Sequence, residues 1–294
     1  MDMQIKSSLG EKLFDLFNVI FLLLISFAVL IPLVHVAASS FSSKNALIHS
    51  QVTLWPVGFN FDSYLVVFQN EQFWRSFLIS VVIVLGGTLL NMVLTLLTGY
   101  PLSKIWLRGR KVILLFIVFT MIFQAPIIPT YLVVKSLGMI NTLWALMIPV
   151  ALSAFNLLLC ITFFRSLPEE LFDAAKVDGM SEYGIVWKIV VPLSLPIIVT
   201  LLLFYAVSHW NNYFTAMLYI TKLELRPLQV YLYSLIAQAN VNDTVGSASE
   251  ISMNVMPQSI QMATIIVATV PILLIYPFIQ KHFIKGATLG SIKG

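Results

Sequence analysis

The sequence predicts an all-α integral membrane protein with six transmembrane helices. Of its 294 residues, 59% are hydrophobic and only 10% are charged, whereas a soluble domain carries about 25% charged residues. One aqueous core cannot bury so much apolar surface, so lipid must act as the solvent. This composition excludes a soluble enzyme, a nucleic-acid-binding module and a disordered protein.

Six stretches are apolar and long enough to cross the hydrocarbon core, which takes about 20 helical residues. The first is longer than the hydrophobic region of a typical signal peptide, so we expect it to remain as a span. Prolines interrupt the third and sixth stretches, where neighbouring helices can satisfy the freed carbonyls. The expected spans are residues 16–38, 76–100, 112–134, 142–164, 196–220 and 259–280.

The distribution of basic residues predicts the orientation of these spans. Twelve of the 17 Lys and Arg residues lie in the two terminal tails and in segments 101–111 and 165–195. The positive-inside rule places these segments and both termini in the cytoplasm, and an even number of spans agrees with that. Segments 39–75 and 221–258 are then long extracellular loops. The chain 1–294 is expected to be a single membrane domain.

The predicted spans contain no Asp or Glu and no obvious Lys or Arg. Pumps and ion-coupled carriers place ionisable groups within the bilayer to bind or relay ions. The sequence also has no HExxH motif, no Cys/His ligand cluster and no GxxxxGK[ST] phosphate loop. We therefore expect no enzyme activity, no metal centre and no ATP hydrolysis in this chain.

Uncharged polar residues do occur within the spans. Amides and hydroxyls beside aromatic rings suit a neutral polyhydroxylated solute. Interhelical hydrogen bonding is the favoured role for Asn91 and Ser153, and both roles stay open for the amides near residue 211. A histidine without a carboxylate partner is expected to hydrogen-bond, and Trp and Tyr also fit an interfacial belt. The candidate residues of a translocation path are Gln124, Asn156, His209, Trp210, Asn211, Asn212 and Tyr213.

The cytoplasmic segment 165–195 carries a spaced motif. Asp173-Ala-Ala is followed after three residues by Gly179, and after nine more by Ile189-Val-Val-Pro192. This pattern resembles the EAA signature of the permease subunits of bacterial ATP-binding-cassette importers, with Asp and Val in place of Glu and Leu. The resemblance implies a type I importer permease fold and a coupling helix docked on an ATP-binding subunit. The residues implied are Glu169, Glu170, Asp173, Ala174, Ala175, Asp178, Gly179 and Pro192.

The physical chemistry of this motif fits a short docking helix. Pro168 suits a helix start, and the acids that follow lie near the positive end of the helix dipole. Ala174 and Ala175 are small enough to allow a partner to approach closely, and Gly179 can end the helix in a left-handed conformation. The alternative is an amphipathic helix on the membrane surface, where anionic lipid would repel its acidic first turn.

Other stretches are similar to the carbohydrate-importing branch of this family. They include residues 137–142, Phe155-Asn156, Phe163-Phe164 and Trp210-Asn211. The tail 285–294 resembles the ending of the second permease of the maltose system, which reaches between the ATP-binding subunits. A frayed end is the alternative. Together with Tyr276-Pro-Phe, the tail resembles permeases for larger oligosaccharides or polysaccharide fragments, including uronate-rich ones. The tail contacts implied are Lys285, Gly286, Gly290 and Lys293.

The resemblance implies a subunit of a carbohydrate importer in the bacterial plasma membrane, working by alternating access. Its expected partners are a second, non-identical permease, two ATP-binding subunits that hold ATP and Mg, and an extracytoplasmic solute-binding protein. This chain itself is expected to hold no cofactor and to bind no nucleic acid. The alternatives are a permease of the same type for amino acids or peptides, a non-transporting membrane scaffold, and a secondary carrier.

Overall fold

A computed structural model describes residues 9–123, 125–242 and 256–291, and all the regular secondary structure in these ranges is helical. The fold is a series of long membrane-length helices separated by short ones. Their bounds are α1 Leu9–Ser40, α2 Lys44–Ile48, α3 Asp62–Gln69, α4 Glu71–Ser103, α5 Arg110–Ile122, α6 Ile127–Ser136, α7 Trp144–Met147, α8 Ala154–Arg165, α9 Glu169–Val177, α10 Glu182–Ile185, α11 Val191–Leu193, α12 Leu195–Trp210, α13 Phe214–Tyr219, α14 Leu228–Asn242 and α15 Pro257–Ser291. A π-helical segment covers Val186–Val190 and a 3-10 turn covers Leu223–Leu225.

Three described helices are long and apolar enough to cross a membrane, namely Gly10–Ser40, Glu71–Ser103 and Pro257–Leu274. Two bent pairs, α5 with α6 and Glu182–Leu193 with α12, bring the number of candidate spans to as many as five. The second pair bends by 87°. Helix α1 covers the expected span 16–38, α4 covers 76–100, and α15 covers 259–280.

The expected continuous helix over 142–164 is wrong. Residues 148–153 separate α7 from α8, and Pro149 in this break has no N–H to continue the helical ladder. Ser153 then caps α8, since its Oγ accepts the backbone N–H of Asn156 at 3.4 Å. The stretch 196–220 is likewise divided, because α12 ends at Trp210 and α13 begins at Phe214.

The sequence predicts that segment 221–258 is a long extracellular loop. In the structure α14 extends through Asn242, so Asn240 and Asn242 belong to a helix. Residues 243–255, including the remainder of the expected loop, lie outside the described residues. The short connection between α6 and α7 contains left-handed backbone at Gly138 (φ +68°) and Asn141 (φ +60°).

The chain divides into two compact units. One comprises Met1–Asn70 with Leu235–Thr269, and the other comprises Glu71–Ser234 with Val270–Gly294. In the first unit, Ser40 Oγ and Tyr64 Oη are 2.8 Å apart. Phe41 stacks on the Tyr64 ring, with 4.7 Å between the ring centroids. These contacts connect the end of α1 to α3.

The second unit is built around α4, against which α8 and α12 make its most extensive helix contacts. One buried cluster joins these three helices to the EAA-like motif. Its members are Met92, Leu96, Tyr100, Cys160, Phe164, Phe172, Ala175, Ile185, Val186, Val190, Ile198, Leu201 and Tyr205. The motif is therefore packed into the same core as the long helices that precede and follow it.

The buried face of α4 combines apolar residues with many small and polar ones, while several of its large aliphatic side chains are exposed. Leu78, Val82, Leu85 and Leu89 are all exposed. Since lipid is as apolar as leucine, helices in a membrane gain most by packing small and hydrogen-bonding residues against each other. The buried small and polar residues recur at helical spacing: Ser76, Ser80, Gly87, Thr88, Asn91, Thr95, Gly99 and Ser103.

Candidate functional site

The candidate coupling helix α9 begins and ends as its sequence predicts. Pro168 is its N-cap residue, with extended backbone at φ −59° and ψ 132°, and Glu169 and Glu170 occupy the first turn. Gly179 has φ +73°, the left-handed conformation that glycine adopts without steric cost. The backbone N–H of Gly179 donates a hydrogen bond of 3.0 Å to the Lys176 carbonyl, which closes the end of the helix.

Only part of the predicted docking surface on α9 is exposed. Glu169, Glu170, Asp173, Ala174, Asp178, Gly179 and Pro192 are exposed, whereas Ala175 is buried in the chain's own core. The expectation that both alanines meet a partner is therefore corrected, since Ala175 lies three residues after buried Phe172 on the inward face. Val177 is apolar and yet 89% exposed.

This packing also bears on the membrane-surface alternative. A surface-lying amphipathic helix would turn its apolar face toward lipid. In α9 the apolar face, with Phe172 and Ala175, is covered by residues of α4, α8 and α12 instead.

Lys104 lies beneath α9, immediately after the last residue of α4. Its Nζ is 3.1 Å from the centroid of the Phe172 ring and 5.3 Å from that of Tyr100. Burial lowers the pKa of Lys104, because removing the ammonium from water disfavours its charged form, and Lys176 adds to this effect. The nearby carboxylates Glu169, Glu182 and Asp173 act in the opposite direction.

Glu182 joins the end of α4 to α9. Tyr100 Oη donates a hydrogen bond of 2.7 Å to one carboxylate oxygen of Glu182. The other oxygen pairs with Lys176 Nζ at 3.1 Å. Two residues of α9 are thereby connected to the end of α4: Phe172 through its ring and Lys176 through the Glu182 carboxylate.

A second polar cluster lies in the middle of α4. Asn91 donates its amide N–H to the carbonyl of Val150 at 2.6 Å, which turns its side-chain oxygen toward His209. The Nε2 of His209 lies 2.8 Å from that oxygen, so Nε2 carries the proton and donates it. The predictions that Asn91 joins helices and that His209 acts as a hydrogen-bonding residue are both confirmed.

Two further features complete this cluster, which we call the α4–α12 seam: Gly87, Asn91, Thr95, Tyr205 and His209. Thr95 Oγ1 and Tyr205 Oη are 2.7 Å apart. A Cβ added at Gly87 would lie 2.5 Å from His209 Nε2, so the absence of a side chain there makes room for the imidazole.

The candidate path residues fall into distinct groups. His209 is buried in the seam, and the side-chain oxygen of Asn212 accepts a hydrogen bond from Thr215. Asn211 and Tyr213 are exposed at the break between α12 and α13. Trp210 Nε1 is buried without a hydrogen-bond partner among the described residues. The side chain of buried Asn156 makes no hydrogen bond there either. Gln124 lies outside the described residues.

Sequence reasoning missed several residues of these clusters. In the sequence, Lys104 is only one of the basic residues that predict orientation, and no motif points to Tyr100, Thr95 or Tyr205. The spacing of Gly87, Asn91 and Thr95, each four residues apart, places them on one helix face and could have indicated the seam. No sequence signal pointed to the ring contact of Lys104.

The C-terminal tail is helical as far as the structure describes it. Lys285, Gly286 and Gly290 lie within α15, and Lys293 lies outside the described residues. In the described part of the chain, no group of three His, Cys, Asp or Glu side chains is suited to hold a metal ion.

Comparison with known proteins gives the family. Residues 107–288 match the family described as binding-protein-dependent transport system inner membrane component. The polygalacturonan/rhamnogalacturonan transport system permease protein YtcP of Bacillus subtilis (strain 168) is 44% identical over 286 residues, which is 97% of this chain and 99% of the relative. The arabinooligosaccharides permease AraQ of Halalkalibacterium halodurans is 26% identical and covers 92% of this chain and 93% of its own.

A solved structure shows the same fold. A chain of a bacterial ABC transporter involved in import of the acidic polysaccharide alginate superposes with a TM-score of 0.89 at 32% identity, covering 94% of this chain and 99% of that chain. The EAA-like motif on α9 lies within the matched family region. The chain therefore belongs to the binding-protein-dependent inner membrane components and is the permease component of an ABC importer.

Proposed function

We propose that this chain forms half of the translocation path of an importer for oligosaccharides or polysaccharide fragments, including uronate-containing ones. The observation that carries the proposal is that relatives covering nearly the whole chain are named for polygalacturonan/rhamnogalacturonan and for alginate. Polygalacturonan and alginate are both polymers of uronic acids. A permease for amino acids or peptides, or a membrane scaffold, has no comparable support.

The proposed architecture is one membrane domain over 1–294 with six spans and both termini in the cytoplasm. The excess of Lys and Arg in the segments assigned to the cytoplasm supports this orientation. Segments 39–75 and 221–258 would face the outside, and the second would contact the solute-binding protein. Segment 165–195 would face the cytoplasm.

The proposed partners are a second, non-identical permease, two ATP-binding subunits and an extracytoplasmic solute-binding protein. ATP and Mg would be bound and ATP hydrolysed on the ATP-binding subunits, with α9 as the docking element. Its exposed side combines Ala174 and Val177 with the acids Glu170, Asp173 and Asp178. A groove with an apolar floor and a basic rim would complement this surface. The tail would reach toward the same subunits.

The proposed path residues are those whose side-chain polar groups make no hydrogen bond to other described residues. Trp210 has an unpartnered indole N–H in the described structure, and Asn211 and Tyr213 are exposed at the end of α12. Such donors can bind sugar hydroxyls or a uronate carboxylate without placing a fixed cation in the membrane. An aromatic ring can also stack on the C–H face of a sugar.

Uptake by the reconstituted transporter tests the substrate and the path together. Proteoliposomes holding all subunits and the binding protein would be supplied with labelled trigalacturonate or with a neutral glucose trisaccharide. We expect uptake of the uronate, and we expect Trp210→Phe to lower its rate about fivefold, because one hydrogen bond is worth about 1 kcal/mol. Trp144→Phe is the matched control, since Trp144 is exposed on α7.

The two parts of this experiment fail separately. Transport of a peptide or amino acid instead of either sugar would refute the substrate class. Equal uptake rates for the Trp210→Phe and Trp144→Phe proteins would remove Trp210 from the path while leaving the substrate class standing.

A charge reversal tests the docking of α9. Asp173→Arg combined with Ala174→Arg places two cations on exposed positions, so the chain should still insert and fold. We expect the stimulation of ATPase activity by loaded binding protein to be lost. If that stimulation kept its wild-type size, α9 would not be the docking element.

A further inference from the structure

Lys104 is an unusually placed cation. It is only 8% exposed, although lysine is almost never so deeply buried unless it is paired. No carboxylate oxygen of the described residues lies within 4.0 Å of its Nζ, and the groups in direct contact are the rings of Phe172 and Tyr100. The ammonium is therefore held by a desolvated cation–π contact, assisted by more distant acids.

This contact lies where two functional elements meet. Phe172 is the central buried residue of α9, and Lys104 directly follows α4. The same α4 carries Asn91 and Thr95, which hydrogen-bond to α12 in the seam. Thirteen residues separate Asn91 from Lys104, about 20 Å at 1.5 Å per helical residue. One continuous helix, α4, thus connects the ring contact under α9 to the α4–α12 seam.

We propose that Lys104 is a positioning residue that fixes α9 to the end of α4 through the Phe172 ring, so that movement of α9 is transmitted along α4 to the seam. This inference rests on the proposed role of α9 as the docking element. The Tyr100–Glu182–Lys176 bridge is a second connection between the same elements. Glu182 and Lys176 are about half exposed, so water weakens that bridge more than the buried ring contact.

The space around Lys104 determines which substitutions should keep its contact with Phe172 and which should remove it. A cavity of about 80 Å³ adjoins it, lined by Ser103, Arg165, Glu169 and Phe172 among others. This space can accept the larger guanidinium of an arginine, which keeps the charge and stacks well on an aromatic face. Methionine keeps the length and the apolar stem of lysine but removes the charge. Lys104→Arg should therefore preserve the contact, and Lys104→Met should lose it.

The experiment measures coupling in the complete transporter, with the second permease, the ATP-binding subunits and the binding protein in lipid. The readout is the ratio of ATPase rates with and without sugar-loaded binding protein. We expect Lys104→Met to lower this ratio about tenfold, the scale of a desolvated cation–π contact. The ATPase ratio of Lys104→Arg should stay within about twofold of wild type, because arginine keeps the positive charge. If only the volume of the side chain mattered, this larger residue would lower the ratio as well.

A double-mutant cycle identifies the partner of Lys104. Phe172→Leu alone should reduce the ratio about as much as Lys104→Met. Because both changes remove the same contact, the double variant should show no further loss. If the Lys104→Met complex fails to assemble, Lys104→Gln takes its place, with the same expectations.

Three results would overturn the inference: a wild-type ratio for Lys104→Met, an equal loss for Lys104→Arg, or additive losses in the double variant. The Asp173→Arg/Ala174→Arg protein separates this failure from that of the proposed function. If that protein loses stimulation while Lys104→Met keeps it, α9 docks the partner and only the role of Lys104 is wrong.

Discussion

The middle of α4 and its C-terminal end bind their neighbours with different chemistry. Around Asn91, the helix uses neutral groups: an amide, a hydroxyl and an imidazole that serves as a donor. Around Lys104, it uses a buried ammonium and a phenol bound to a carboxylate. A charge is expensive within hydrocarbon and much cheaper near its edge, where long side chains reach toward water. This difference is the one expected of a membrane-spanning helix whose middle lies in hydrocarbon and whose end lies near water.

Removing the seam's central amide should have the largest effect on stability. Asn91→Leu removes both the amide donor to the Val150 carbonyl and the oxygen that accepts from His209 Nε2. We expect the free energy of unfolding to fall by about 3 kcal/mol, since each buried unpaired group costs about 1–3 kcal/mol. Thermal unfolding in detergent measures this. Asn156→Leu is the matched control, because Asn156 is also buried but its side chain makes no hydrogen bond within the described residues. Equal losses would show that the seam's hydrogen bonds do not matter.

Filling the space beside His209 should have the next largest effect. Gly87→Ala would bring a methyl group within 2.5 Å of the imidazole and force it away from Asn91. We expect a loss of about 2 kcal/mol, in the range typical of overpacked cores. Gly86→Ala is the control on the adjacent residue, where the nearest atom is the flexible end of Met147 at 3.4 Å. A Gly86→Ala protein as unstable as Gly87→Ala would argue for a general glycine effect in α4.

Deleting the phenol at the charged end should cost less. Tyr100→Phe removes the hydrogen bond to Glu182, but that carboxylate keeps Lys176 and is 49% exposed to water. We therefore expect a loss of about 1 kcal/mol, measured by the same unfolding assay. A loss as large as that of Asn91→Leu would contradict the view that water reaches this end of the helix.

The smallest effect is expected for the exposed ion pair. Lys176→Met removes a partner that is itself 41% exposed, and surface pairs are worth about 0–1 kcal/mol. We expect a change below about 0.5 kcal/mol, and we expect 0.5 M NaCl to weaken even that. A loss above about 1 kcal/mol that salt did not change would place this pair in the class of buried contacts.

The sequence predicted the ends of α9 well because their signals are local. Pro168 and Gly179 act through their own backbone preferences, and the structure confirms both ends of α9. The prediction was incomplete for Ala175, because the inward face of a nine-residue helix depends on what packs beneath it. Phe172 decided that question by docking against the end of α4.

Helix continuity was predicted less well. Pro271 and Pro277 remain inside α15, whereas the helical ladder breaks near Pro126 and Pro149. A proline removes the same hydrogen bond in every case, so the proline alone does not decide the outcome. Neighbouring helices and capping groups, such as the Ser153 hydroxyl at the start of α8, determine where a break is stabilised.

The sequence by itself determined that the chain is a membrane protein, which family motif it carries, and where α9 begins and ends. Each of these depends on composition, on spacing along the chain or on the backbone of a single residue. Only the tertiary structure decided that Asn91 pairs with His209 and that Lys104 lies over Phe172. In a membrane, an apolar helix carries little information about which face packs inward, since lipid and core are equally apolar. The pairing of polar groups therefore depends on which helices become neighbours.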